Sequence, residues 1–134
     1  MKILGLDGRE HSWIPSNRAI EKHNQSSLHK TAKEILKKKF PSDRILEEVV
    51  LPGSSSATRK SLLIADFFLP LRNLIVEVHG SQHVEYNNFF YKNRLDFYKA
   101  QARDRDKKTW CEINGFTLVE LFHNESPEEW ENKI

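Results

Sequence analysis

The sequence predicts an α/β fold: a mixed sheet of about four strands flanked by helices, with an added N-terminal β-hairpin. Three observations carry this. Two dense apolar runs, residues 62–69 and 74–79, are separated only by Pro70-Leu71-Arg72-Asn73, the pattern of an antiparallel hairpin at the centre of a sheet. Leu28, Ala32, Ile35 and Leu36 recur ahead of them at helical spacing. A third apolar run, FTLVELF at 116–122, follows a long polar stretch of helical character.

The elements follow in order. Residues 2–6 and 9–14 flank Asp7-Gly8, a type I′ hairpin signal because both turn positions need positive φ. Residues 15–25 are polar and read as a connector, which divides the chain into a hairpin with connector (1–25) and a core (26–134). Ser26-Ser27 offers an N-cap for the first helix, which ends at Phe40-Pro41. Residues 45–51 read as a strand closed by Pro52-Gly53, and GSSSATRK at 53–60 as a flexible basic loop. After the central hairpin, 80–86 is a polar loop and 88–113 a helix with a break. Asn114-Gly115 ends that helix, 116–122 returns as a buried strand, and Ser126-Pro127 opens a short helix anchored by Trp130.

At 134 residues, 38% hydrophobic and 30% charged, the chain suits one compact domain with a modest core. A single cysteine, Cys111, excludes a disulfide framework and a cysteine-based zinc site. No apolar run approaches a membrane span and no signal-peptide pattern opens the chain, so the expectation is a soluble, cytoplasmic protein without membrane contact. The net charge of +2 is uneven: residues 1–60 carry twelve Lys/Arg against seven Asp/Glu, and 61–134 nine against twelve. A basic body with an acidic tail suits a polyanionic partner.

Asp66 and Glu77 are the most informative residues, each an acid within an apolar strand (LIADFFL and LIVEVHG). With the turn centred between Leu71 and Arg72, they fall directly opposite one another. Opposed like charges are destabilising, so the pair needs a shared proton or a cation, and a hard divalent ion such as Mg²⁺ is the economical answer. His79 shares the strand parity of Glu77, and His83 follows in the loop. Beside a carboxylate pair, such residues suit acid–base work or the orientation of water. His29 lies within about 20° of Leu36 on the helical wheel and faces inward. In the later helix Gln101, Asp104 and Lys108 share one face, while Arg103 and Lys107 share another.

IADFFLP, IVEVHGSQH and QARDRDKK…NGFTLVELF, in this order and spacing, resemble the PD-(D/E)XK nuclease superfamily. Within it the likeness is greatest to very-short-patch repair endonucleases and the related phage and intron-associated homing endonucleases, over roughly residues 26–122. His79 stands where the wider superfamily has a lysine, and Glu77 supplies its acidic ligand. The absence of a zinc-binding Cys/His set favours the homing group over mismatch repair.

The resemblance implies a PD-(D/E)XK-type core and a metal-dependent DNA endonuclease, phage-encoded and acting in a bacterial host. Asp66, Glu77 and the Val78 carbonyl would hold Mg²⁺ or Mn²⁺. His79 would position or deprotonate water, and His83 or His29 would serve the leaving group, with Asp104, Gln101 and Lys108 supporting that shell. Arg59, Lys60, Arg103 and Lys107 are expected phosphate contacts on double-stranded DNA, and the hairpin with Arg9, His11 and Trp13 is expected in a groove. A double-strand break would need a homodimer or two sequential nicks. The alternatives are a junction- or mismatch-specific endonuclease and a non-catalytic nucleic-acid-binding module.

Overall fold

Local chemistry fixes the element ends in the computed structural model, which describes residues 1–17, 26–80 and 94–134. The elements are β1 (Lys2–Leu4), β2 (Glu10–Ser12), α1 (Ser27–Lys39), β3 (Leu46–Val50), β4 (Ile64–Leu69), β5 (Leu74–His79), α2 (Arg94–Asn114), β6 (Thr117–Phe122) and α3 (Pro127–Lys133). Ser26 caps α1 by accepting the His29 amide at 3.1 Å, and Lys37, Lys38 and Lys39 occupy its last turn, where the helix dipole favours positive charge. Helix α2 is unbroken over Arg94–Asn114, so the expected break does not occur within the described helix. The expected start of that helix, most of the 80–86 loop with His83, and the later part of the connector lie outside the described residues.

The main sheet has the order β3-β4-β5-β6. Strands β3 and β4 are antiparallel, as are β4 and β5, whose register pairs Phe67 with Val76 and Phe68 with Ile75. The turn between them is a short 3-10 segment, Pro70–Arg72, closed by Asn73 in the left-handed region at φ 48°. Helix α2 then carries the chain back so that β6 lies parallel to β5. The whole is a mixed α/β architecture with a four-stranded mixed sheet and three helices among the described residues.

Alternation along the central strands feeds two cores. Phe68 and Ile75 pack with Trp110 of α2 and with Ile3 and Trp13 of the hairpin segment. Phe67 and Val76 pack on the other side with Ala32 and Leu36 of α1, Leu121, and Trp130 of α3. Trp13 is therefore a core residue, 6% exposed, with its ring stacked 5.0 Å from Phe68 and edge-on to Trp110 at 5.5 Å. The sequence places Trp13 in a DNA-contacting hairpin, whereas here its ring is taken up by core packing.

The N-terminal hairpin also differs from expectation. Lys2 pairs with Ser12 and Leu4 with Glu10, and Gly5 N–H reaches the Arg9 carbonyl at 2.8 Å, leaving a three-residue loop. Only Gly8 of that loop has positive φ, at 78°. A two-residue type I′ turn would have kept Leu6 in the strand. Instead its amide donates to the Gly53 carbonyl at 2.6 Å, and its side chain packs on the first core. The loop at 53–60 is likewise anchored. Ser54 is buried, donating to the Leu51 carbonyl at 2.6 Å and accepting the Leu63 amide at 2.7 Å.

Strand β6 is a sheet edge, and side chains near the C-terminus bond its outward backbone groups. Lys133 Nζ donates to the Glu120 carbonyl (2.9 Å), Trp130 Nε1 donates to the Phe122 carbonyl (3.0 Å), and Glu125 Oε1 accepts the Phe122 amide (2.8 Å).

Candidate active site

The sheet register aligns one acid from each strand. Glu48 sits between the pairs Glu47–Phe67 and Val49–Ala65, and so stands across from Asp66. Asp66 is the next position beyond Phe67–Val76, across from Glu77 as the sequence predicts, and Glu77 is paired directly with Glu120. The row Glu48–Asp66–Glu77–Glu120 crosses the whole sheet. The β4/β5 ladder stops at Phe67–Val76, and the Asp66 carboxylate accepts the Val78 amide through Oδ2 at 2.8 Å. Glu48 itself has φ 51°, a left-handed conformation that is unfavourable for a residue with a Cβ.

Such a row of acids needs counter-charge. Lys107 Nζ lies 2.8 Å from Glu77 Oε1, both side chains being largely buried. Burial, then repulsion from Asp66, pushes the Glu77 carboxyl well above its usual range, with Lys107 opposing. Burial works against the charge on Lys107, but Glu77, Asp66 and Asp104 outweigh it and raise its proton affinity. At the next strand His79 Nε2 meets Glu120 Oε1 at 3.2 Å, and the imidazole stacks on Phe122 at 5.0 Å. The bond to His79 holds the Glu120 carboxyl below its usual range, helped by Lys108 and Lys133 against partial burial.

Helix α2 separates two cavities, and Asp104 lines both. The larger, about 340 Å³, is bounded by His79, Gln101, Asp104, Arg105, Lys108, Glu120 and Phe122. The smaller, about 240 Å³, includes Arg59, Ala100, Arg103, Asp104 and Lys107 in its wall. The two helix faces read from the sequence thus open on different spaces: Gln101 and Lys108 toward the His79–Glu120 pair, Arg103 and Lys107 toward the loop at 53–64.

His29 is buried, stacked on Phe67 at 4.4 Å, with Nε2 3.0 Å from Glu47 Oε1. Glu47 is also bonded by Lys33 at 2.8 Å; although burial raises its proton affinity, these two contacts outweigh it and lower the carboxyl. His29, Glu48 and Asp66 each offer one ligand atom within 4.8 Å of the others.

The expected phosphate contacts divide. Lys60 and Arg103 are exposed, as is Arg9 on the hairpin. Arg59 is engaged within the protein, donating to Asp106 Oδ2 at 2.7 Å and to the Ser54 carbonyl at 2.6 Å. Lys107 points into the carboxylates. Sequence reasoning missed Glu47, Glu48 and Glu120, although each shows the signal that singled out Asp66, an acid inside an apolar strand. Cys111 is buried beside this site; burial, with Glu77 adding to it, pushes its thiol up to about 12, so it is an inert core residue.

Comparison with known proteins gives relatives but no described family. The chain is 39% identical over 56 residues to the uncharacterized protein 033L of invertebrate iridescent virus 3, covering 42% of this chain and 29% of that one. It is 34% identical over 70 residues to the uncharacterized protein 307L of invertebrate iridescent virus 6, covering 52% and 36%. The matches thus span about a third of the length of these curated relatives. No family model and no solved structure matches the chain. Among the described residues, no helix is long and apolar enough to cross a membrane.

Proposed function

We propose that the chain is a metal-dependent DNA endonuclease of PD-(D/E)XK type that hydrolyses phosphodiester bonds in double-stranded DNA. The observation that carries this reading is the opposition of Asp66 and Glu77 at the point where the β4/β5 ladder ends, with a buried lysine against them. A purely structural sheet gains nothing from two acids at adjacent inward positions.

The donor set fits a hard divalent cation. Asp66 and Glu77 offer carboxylate oxygens and Val78 a carbonyl, the ligands that suit Mg²⁺ or Mn²⁺. Burial first, and then the neighbouring Asp66 carboxylate, raise the proton affinity of Glu77 against Lys107, and a cation between the two acids would offset the Asp66 repulsion. Once bound, such an ion polarises a phosphoryl oxygen and lowers the pKa of coordinated water. The remaining work falls to the chain. Lys107 holds Glu77 and offers a fixed ammonium at the wall of the smaller cavity. Arg103 lines the same cavity and would bind a phosphate there. His79, oriented by Glu120 and Phe122, would hold or accept a proton at the larger cavity, which Gln101 and Lys108 also line. The sequence resemblance to homing endonucleases makes a specific duplex site the expected substrate. The relatives are viral, which suits a virus-carried gene without favouring a bacteriophage.

Supercoiled plasmid incubated with the protein tests the reading. Nicking in Mg²⁺ or Mn²⁺, its loss in EDTA and in Asp66→Ala, and retained DNA binding by that variant are expected. Undiminished cleavage by Asp66→Ala would remove the assignment.

A further inference from the structure

The acids of the sheet row do not all face the same chemistry. Glu77 is answered by Lys107 and Glu120 by His79 and Lys108. On the other side of Asp66, ligand atoms of Glu48 and His29 lie within 4.8 Å of one of its own. We propose that His29, Glu48 and Asp66 form a cation site of mixed nitrogen and oxygen character, which takes a first-row transition ion such as Mn²⁺ in preference to Mg²⁺.

The argument begins with His29. It is 6% exposed, its backbone is fixed by the Ser26 cap, and its ring is clamped on Phe67. Glu47 lies 3.0 Å from Nε2. A carboxylate there accepts a hydrogen bond from Nε2–H, so the neutral ring keeps its lone pair on Nδ1 for a metal. A carboxylate on one nitrogen, fixing the tautomer and ring orientation, is the usual partner of an imidazole that binds a metal through the other. Lys33 holds Glu47 in turn, at 2.8 Å.

Glu48 provides a second donor. It adopts a left-handed backbone conformation at φ 51°, and one of its ligand atoms lies within 4.8 Å of those of His29 and Asp66. An ion held at about 2.1 Å from each donor draws ligand atoms roughly 3–4.2 Å apart, and the three donors lie within 4.8 Å of one another. One imidazole with two carboxylates discriminates by ligand softness. Mg²⁺ prefers oxygen and dehydrates reluctantly, whereas imidazole nitrogen binds the first-row transition ions well.

This inference rests on Asp66 as a cation ligand but not on nuclease activity, and its test needs no nucleic acid. Mn²⁺ is titrated into the full chain and followed by electron paramagnetic resonance, with Mg²⁺ as competitor. Binding of Mn²⁺ at least about tenfold tighter than Mg²⁺ is expected, together with an imidazole-nitrogen coupling in the pulsed spectrum of the bound ion. Glu48→Gln should weaken the nitrogen-coupled Mn²⁺ about tenfold or more, and Glu77→Gln, which alters the neighbouring all-oxygen donors, should leave that coupled signal in place. A bound ion without nitrogen coupling, or a nitrogen-coupled signal that survives Glu48→Gln, overturns the proposal. So does the absence of Mn²⁺ binding at millimolar concentration. The wild-type spectrum decides even if a variant fails to fold. Mg²⁺-dependent nicking in a chain that shows no nitrogen-coupled Mn²⁺ would leave the nuclease reading standing while this site falls.

Discussion

Glu77 and Glu120 are direct partners across the parallel β5/β6 pair, yet their carboxyl groups are driven in opposite directions. Burial and the charge of Asp66 favour a proton on Glu77. The bond from His79 favours its absence from Glu120. Neighbouring acids with separated proton affinities are a recurring arrangement where acid–base chemistry is done.

Glu77 makes stability depend on pH. Its folded carboxyl titrates above its unfolded value, so the folded chain keeps a proton that the unfolded chain has released. Stability from this group therefore falls as pH rises above the ordinary carboxylate range, until the folded carboxyl ionises too. Glu77→Gln lacks that slope and should gain on the wild type between pH 5 and pH 8 in urea denaturation. Lys107→Met should do the reverse, losing about 3–5 kcal/mol at pH 8 and less at pH 5, because it leaves a buried charge uncompensated.

His79 and Glu120 should act as a unit. His79→Ala is expected to lower nicking by roughly 10²-fold if the imidazole moves a proton. Glu120→Gln removes the group that orients it and should lower the same rate with DNA affinity unchanged. The depressed carboxyl of Glu120 contributes stability above the ordinary carboxylate range, lost as pH falls through its folded value. The stability difference between Glu120→Gln and wild type should accordingly shrink from pH 7 to pH 3. Single-turnover nicking and denaturation curves measure the two effects.

Trp13→Ala should cost about 3–5 kcal/mol, the range for removing a large aromatic side chain from a packed core. DNA affinity of the folded fraction should be unaltered. A gel-shift loss without a shift in the denaturation midpoint would contradict the packing role.

Arg59 and Lys60 are adjacent, yet their substitutions should differ in kind. Lys60→Ala should weaken DNA binding across sequences and reduce the salt slope by about one. Arg59→Ala should act through stability, because the guanidinium ties the 53–60 loop to Asp106 and its loss leaves buried groups unsatisfied. Salt-dependent binding isotherms beside thermal melts separate the two.

The β4/β5 register was legible because apolar runs on both sides of Pro70-Leu71-Arg72-Asn73 leave little freedom in the turn, and opposition of Asp66 and Glu77 followed. The helix faces of Gln101 and Arg103 were legible for the same local reason. Glu48 and Glu120 were not found, since their place in the row depends on β3 and β6, partners chosen by long-range pairing. Asp7-Gly8 misled on turn length because Leu6 is drawn inward by a contact with Gly53, distant in sequence. The core position of Trp13 depends on contacts with Phe68 and Trp110, distant in sequence, which a local hairpin pattern does not reveal.

The bonds from Glu125, Trp130 and Lys133 onto β6 also govern how copies of the chain meet. An open strand edge with apolar residues invites another strand to add to it. With these groups in place, the C-terminal half of β6 has few free backbone partners for a newcomer. A chain cut after Asn124 would present Leu118 to Phe122 as a sticky border, and self-association in proportion to concentration would follow. Residues 125–134 thus guard this edge against a second copy of the chain.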